Sequence, residues 1–298
     1  MKKVILVDGN NLLFRSYYAT AYTGNIMKNK EGFPTNALYG FVNMINKIIN
    51  EEEPKYMMVA FDIGKTFRHE SYEDYKGGRE ATPDDLKKQF PVAKKILTAM
   101  GVKYFELEGY EADDILGTVA KKNETNNIHT YILTGDKDSF QLVNDNTTVI
   151  FPLQGFKEVG LVNPQYIIDK YGITVDNFVL LKTLMGDDGD NIKGITGCGE
   201  KTAVKLINHY GSLENIVKNH QNIDVKGVNK KVKENICEWA PRSEVVKQLV
   251  TILTDVEVPY TYDECELKLN WNNALPIFEE LEFNQLIKKL KSGDLYNG

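Results

Sequence analysis

The 298-residue sequence carries 36 Lys and Arg against 42 Asp and Glu, a formal charge of −6, with 42% hydrophobic and 26% charged residues. That balance can bury an ordinary core and argues against disorder, and the length exceeds the roughly 100–200 residues of a typical domain, so a large domain or a core with a helical appendage is expected. Cys198, Cys237 and Cys265 are too few and too scattered for a disulfide framework or zinc site; no stretch reaches the roughly 18 apolar residues of a membrane span, and Asp8 breaks the N-terminal apolar run before a signal peptide could form, so the cytoplasm is the expected setting.

In chain order, KKVILVD (2–8), KYMMVAFD (55–62) and HTYILTGDKD (129–138) are apolar runs of strand length, ending at or near Asp8, Asp62 and Asp136. Helix-like patterns occupy 10–19, 36–50, 83–100 and 111–122 between them. This alternation predicts an α/β fold, a mainly parallel central sheet with helices on both faces, in which the three aspartates meet beyond the carboxyl ends of the strands. After about residue 160, helical patterns dominate: PQYIIDKYG, VDNFVLLKTLMG, KTAVKLINHYG and RSEVVKQLVTIL. The division expected is an α/β core at 1–160 and a mostly helical part at 161–298, with a final helical pair in NNALPIFEELEFNQLIKKLKS packing on the helical body.

Nine carboxylates are candidates for one acidic constellation: Asp8, Asp62, Glu111, Asp113, Asp114, Asp136, Asp138, Asp187 and Asp190. A single aspartate closing a strand is ordinarily a turn or cap residue, and acids in a helix's first turn suit the macrodipole. Jointly, however, so many carboxylates would repel each other unless cations neutralised them, and hard oxygen ligands suit Mg²⁺ or Mn²⁺. A pair of such ions can activate water and stabilise a leaving oxygen in phosphodiester cleavage.

GITGCGEKT resembles a nucleotide-binding P-loop, but Glu200 intervenes before Lys201 and no strand precedes it. The expectation is instead a helix, a tight glycine turn and a second helix starting near Glu200, whose N–H groups can hold a phosphate. Gly194, Gly197 and Gly199 would allow close backbone approach, and Lys193, Lys201 and Lys205 add charge. The window 193–235 carries eight lysines against four acids, so a basic face exists within an acidic chain.

Together, VDGNNLLFRSYYA, AFD, FRHESYEDYKGGR, GYEADD, TGDKDSFQLV and MGDDGDNIKGITGCGEKTA resemble the 5′-nuclease superfamily, which includes the 5′–3′ exonuclease domain of bacterial DNA polymerase I, phage 5′-exonucleases and flap endonucleases. The resemblance implies a PIN-like nuclease core, a helical arch at about 65–98 and a helix-hairpin-helix at about 186–211. It implies that the nine carboxylates bind two Mg²⁺ ions, with Mn²⁺ able to substitute, and that the hairpin grips duplex DNA and holds K⁺. Lys76 and Arg79 match basic residues at the foot of the arch; three apart on one helix face, they could hold the scissile phosphate. Tyr72 and Tyr75 are open to base stacking or to the core. Asp188-Gly189 departs from the small residues, often serine, usual between the last two acids; Lys193 stands where proline is common and Cys198 where an aliphatic residue is.

The reading is a Mg²⁺-dependent 5′–3′ exonuclease or 5′-flap endonuclease of replication and repair, with Lys76, Arg79 and Asp136 as catalytic residues. Its substrate is DNA with a free or flapped 5′ end, including RNA–DNA primer junctions. It is a monomer with no membrane partner and a DNA polymerase acting in trans. The alternative is a structure-specific DNA-binding protein whose nuclease site is silent.

Overall fold

The computed structural model describes residues 2–24, 26–153 and 158–295; the last three positions of the expected 161–298 span lie outside the described residues. The first half runs β1 (Lys2–Asp8), α1 (Gly9–Ala21), α2 (Asn36–Glu52), β2 (Tyr56–Phe61), α3 (Phe67–Ser71), α4 (Asp84–Lys87), α5 (Gln89–Met100), β3 (Lys103–Glu106), α6 (Ala112–Thr125), β4 (Ile128–Leu133), β5 (Thr147–Pro152) and β6 (Val159–Val162). The second half runs α7 (Pro164–Tyr171), α8 (Phe178–Met185), β7 (Gly186–Asp187), β8 (Ile192–Lys193), α9 (Glu200–Tyr210), α10 (Leu213–Lys218), α11 (Lys230–Trp239), α12 (Ser243–Val250), α13 (Leu275–Glu280) and α14 (Asn284–Ser292).

The main sheet has the order β3-β2-β1-β4-β5-β6. Its pairs are parallel except β5 with the edge strand β6, which is antiparallel. β1 and β2 are near-continuous apolar runs because helices cover both faces. Val4 and Leu6 face one core with α6, α8 and α12, whereas Ile5 and Val7 face the other with α1, α2 and α5. The chain leaves β1 toward β2 and β3, then crosses to β4 on the other side. The strand order therefore reverses at β1 and β4, the position where open α/β sheets form a ligand crevice.

Two expectations are corrected. The last helical pair packs on the α/β core and not on the helical body: Trp271, Phe278, Phe283 and Leu286 are buried with Leu38, Phe41 and Ile96. The Asn29 amide donates to the Glu280 carbonyl (3.1 Å) and the Lys30 N–H to Glu282 (2.8 Å), fixing that return. Lys76 and Arg79 do not share a helix face, because residues 73–78 form consecutive turns. Lys76 there has φ 55°, a left-handed conformation incompatible with helix.

Candidate active site

β1, β2 and β4 are neighbours, so their carboxyl ends deliver Asp8, Asp62 and the 134–138 turn to one edge of the sheet. Asp8 caps α1 by accepting from the Asn11 N–H (2.9 Å), and its other oxygen accepts from the Thr134 hydroxyl (2.9 Å). Asp62 accepts from the Asn10 amide (2.8 Å) and from the Ala112 N–H at the start of α6 (2.6 Å). Asn11 also accepts from the Gly135 N–H (2.8 Å), so the two asparagines after Asp8 lace the three strand ends together. Sequence reasoning assigned them no role; the run DGNN, polar immediately beyond a buried strand, was the available signal.

A cavity of about 210 Å³ opens over this edge, lined by Asp8, Asp62, Glu111, Asp113, Asp136, Asp138 and Asp190 together with Phe14, Tyr75, Lys76 and Arg79. Seven of the nine expected carboxylates thus meet. Asp114 does not, and the expectation that it is a metal-site acid is corrected. It is fully buried, and its two oxygens accept from the Arg68 guanidinium (2.7 and 2.8 Å), which also donates to the carbonyls of Leu249 and Thr251. A carboxylate saturated by a buried guanidinium serves to hold α6 against the chain beyond α12. Asp187 lies on the neighbouring hairpin wall, where Lys182 bridges it to Asp138 at 2.6 Å on each side. The Asp188 side chain is fully exposed, 3.9 Å from Lys193.

Electrostatics set these carboxylates apart from ordinary surface acids. Burial, and then the charges of Asp62 and Asp136, raise Asp8 to about 7; burial and the charge of Asp136 raise Asp138 to about 7. Burial also raises Asp62 and Asp136. Asp113 is pushed well above the usual range, by burial first and then by the charges of Asp8, Asp136 and Asp62. One Asp113 oxygen is buried without a hydrogen-bond partner. Asp187 goes the other way: burial opposes ionisation, but the Lys182 ammonium outweighs it and lowers the pKa.

Cations from the chain itself face the acids. Lys76 donates to Glu111 (2.6 Å), and burial of its ammonium is outweighed by Glu111 and Asp190, which raise its pKa. Arg79 pairs with Asp190 and donates through Nε to the Gly189 carbonyl (2.9 Å). Tyr75, buried, donates its hydroxyl to Asp190 (2.9 Å) and sits 3.1 Å from Glu111, so of its two readings the structure selects the core. The Lys76 N–H donates to the Asp190 carbonyl (2.9 Å), and the Asn191 amide to the Asp74 carbonyl (2.9 Å), stitching the basic turns onto the β7–β8 loop. Among the described residues, no group of three or more His, Cys, Asp or Glu side chains is arranged to hold a metal ion. The partnerless Asp113 oxygen, the mutual repulsion and the hard carboxylate donors nonetheless fit a divalent cation, which would relieve the first two.

The glycine hairpin forms a separate, larger cavity of about 910 Å³, lined by Lys193, Gly194, Gly197, Gly199, Asn235 and Arg242 among others. α9 starts at Glu200 with Gly199 as its cap, where the helix was expected to begin. Lys201 and Lys205 are exposed on α9, and Lys205 donates to the Gly227 carbonyl (3.2 Å). No helix of the described residues is long and apolar enough to cross a membrane.

Family comparison agrees with this architecture. Residues 3–172 match the model for the 5′-3′ exonuclease N-terminal resolvase-like domain, and residues 173–273 match that for the 5′-3′ exonuclease C-terminal SAM fold. DNA polymerase I of Bacillus subtilis is 39% identical over 291 residues, covering 97% of this chain and 32% of the relative. This chain therefore spans about a third of the length of the curated relatives it matches. Among solved structures, a bacteriophage T5 flap endonuclease pseudo-enzyme-product complex with DNA and metal ions is similar at TM-score 0.65 and 23% identity, covering 85% of this chain and 89% of that one. The catalytic core of Rad2 in complex with DNA substrate is similar at TM-score 0.57 and 18% identity, covering 94% and 92%. At these identities the likenesses carry the fold.

Proposed function

The chain belongs to the 5′-3′ exonuclease family, and from that premise we propose that it is a divalent-metal-dependent nuclease that cuts DNA near the junction of a duplex with a free or flapped 5′ strand. The observation that carries the reading is the cavity at the sheet's switch point, where seven carboxylates face a lysine and an arginine. Asp8, Asp62, Glu111, Asp113, Asp136, Asp138 and Asp190 would hold the metal, with Asp187 alongside through Lys182. A pair of Mg²⁺ ions, or Mn²⁺ in their place, supplies Lewis-acid activation of water and neutralises phosphate charge. Membership of the exonuclease family, and the fold shared with a phage flap endonuclease seen with DNA and metal ions, support a metal-dependent nuclease.

The chain's own groups do the positioning. Lys76 and Arg79, paired with Glu111 and Asp190, stand where they would face the scissile phosphate with the carboxylates neutralised, and would hold the charge that develops there. Asn10, Asn11 and Thr134 keep Asp8 and Asp62 in place; Lys182 sets the distance between Asp138 and Asp187. Residues 1–160 supply the chemistry together with Asp187 and Asp190 of the β7–β8 hairpin, and the segment from 164 to 250 grips the duplex through Lys193, Gly194, Gly197, Gly199, Lys201 and Lys205, with K⁺ at the hairpin. The role is trimming of flaps and RNA–DNA primers in cytoplasmic replication and repair, by a monomer working alongside a DNA polymerase.

The test is cleavage of a 5′-labelled flap duplex in Mg²⁺ by the wild type, Asp136→Ala and Lys76→Ala. Cutting at the junction that each substitution slows by at least about a hundredfold, the scale of a lost electrostatic contact to the transition state, supports the reading. Tight flap binding without cutting, in Mg²⁺ or Mn²⁺, would make this a reader of DNA structure with a silent site.

A further inference from the structure

Arg242 ends the short helical turn Ala240–Arg242 that joins α11 to α12. Pro241 stiffens this turn, and Trp239 and Ser243 on either side of it are buried, so the exposed Arg242 side chain projects from a fixed base. No carboxylate among the described residues pairs with its guanidinium; Nη2 donates to the Tyr72 hydroxyl at 3.4 Å, reaching from the helical part to the end of α3. Lys193, by contrast, stands 3.9 Å from Asp188. Arg242 and Lys193 together line both the glycine-hairpin cavity and a smaller one of about 140 Å³. Leu249 lines that smaller cavity and the carboxylate cavity as well. The small cavity is therefore a saddle between the duplex grip and the acids, with Tyr72, Ile192 and Val246 among its walls.

We propose that Arg242 is a positioning residue: it holds a backbone phosphate on this saddle and so fixes how far from the glycine hairpin the strand is cut. The inference rests on the flap-nuclease reading above and adds a contact between grip and chemistry. A strand gripped at the hairpin and cut at the carboxylates passes the cavity that shares walls with both, and it presents a phosphate at every nucleotide. The guanidinium fork matches two phosphate oxygens at once, and no carboxylate claims it, so the contact replaces no ion pair. Apolar Ile192, Val246 and Leu249 beside it lower the local dielectric, which strengthens the attraction. A two-point contact fixes the phosphate's angle as well as its place, and the register of the strand over the acids follows.

The experiment measures binding of a flap duplex by fluorescence anisotropy in EDTA across a salt series, and maps the cut positions on the same duplex in Mg²⁺. Arg242→Ala is expected to weaken binding on the order of tenfold, as the loss of one charge-assisted contact does. It also reduces the log–log salt slope by about 0.9, the share of one neutralised phosphate. Its cuts spread from the wild-type position to neighbouring nucleotides. Arg242→Lys restores the slope, because an ammonium also neutralises a phosphate, but leaves the cuts spread, because it lacks the fork. A wild-type slope in Arg242→Ala, or cuts that stay at the wild-type position, would overturn the proposal. So would a slope that Arg242→Lys fails to restore, the mark of a structural role. Arg242→Gln, which keeps much of the side-chain stem, carries the same test should Arg242→Ala unfold. If wild type cuts flaps and Arg242→Ala matches it in slope and cut position, the nuclease reading stands and the positioning role falls; if wild type neither binds nor cuts flaps, both fall.

Discussion

Asp113 projects from the first turn of α6 into a cavity shared with six other acids, and one of its oxygens meets no donor. Its folded pKa lies well above the 3.8 of a free aspartate, so above about pH 4 the folded protein holds this proton more tightly than the unfolded chain does. This contribution to stability is fully present below about pH 4 and is lost as the pH rises through the folded value. Asp113→Asn is therefore expected to match the wild type near pH 4 without metal and to exceed it at pH 8 by on the order of 2 kcal/mol, as read by denaturant titration. With Mg²⁺ the order reverses: the wild type gains stability, and the variant gains less and loses cleavage. A wild type that is no less stable than the variant at pH 8 without metal would remove the repulsion argument. Asp8, Asp62 and Asp136 were legible as acids ending apolar strands, whereas Tyr75 and Lys182 were not. Their roles depend on partners as distant as Asp190 and Asp138, and nothing in the neighbouring sequence announces such pairs.

The β7–β8 hairpin shows how one element joins the two cavities. Gly186 and Gly194 cross so closely that a Cβ on Gly194 would lie 2.1 Å from the Met185 carbonyl carbon, and one on Gly186 would lie 2.2 Å from the Gly194 nitrogen. Both clashes are with backbone, so no rotamer relieves them. Their closeness lets the same loop carry Asp190 into the carboxylate cavity and Asp187 and Lys193 onto the wall of the glycine hairpin. Gly194→Ala should cost about 3 kcal/mol in a denaturation curve and disturb both sides together, lowering duplex affinity and flap cleavage. Loss of one with the other intact would show that the two ends of the loop act independently. The glycines announced a tight turn in the sequence. The extended crossing of β7 and β8 escaped it, since two-residue strands leave no periodic pattern.

At the scale of the molecule, the C-terminal pair closes the N-terminal core. Phe278 is fully buried among residues of the layer formed by α2 and α5, far from it in sequence. Phe278→Ala is expected to destabilise the protein by about 3–5 kcal/mol. The site of the damage distinguishes this packing from the alternative: amide exchange should accelerate in α2 and α5 more than in α9 to α11. Faster exchange confined to the helical part would place the pair on that body after all. The return also explains why a division near residue 160 describes the sequence better than the structure. The helical signal after that point is continuous, but its last two helices serve the sheet.

The sequence alone determined the alternation of buried strands and amphipathic helices, the aspartates at the ends of β1 and β2, the acidic start of α6, and a glycine turn before a helix at Glu200. Each is a local pattern, set by burial on a repeating face or by the backbone freedom of glycine. Only the tertiary structure decided that Asp114 belongs to Arg68, that Asp188 faces water, and that Lys76 and Arg79 sit in turns over the acids. These depend on which distant groups share a low-dielectric space, where a few ångströms decide whether a carboxylate is neutralised, hydrogen-bonded or left to a cation.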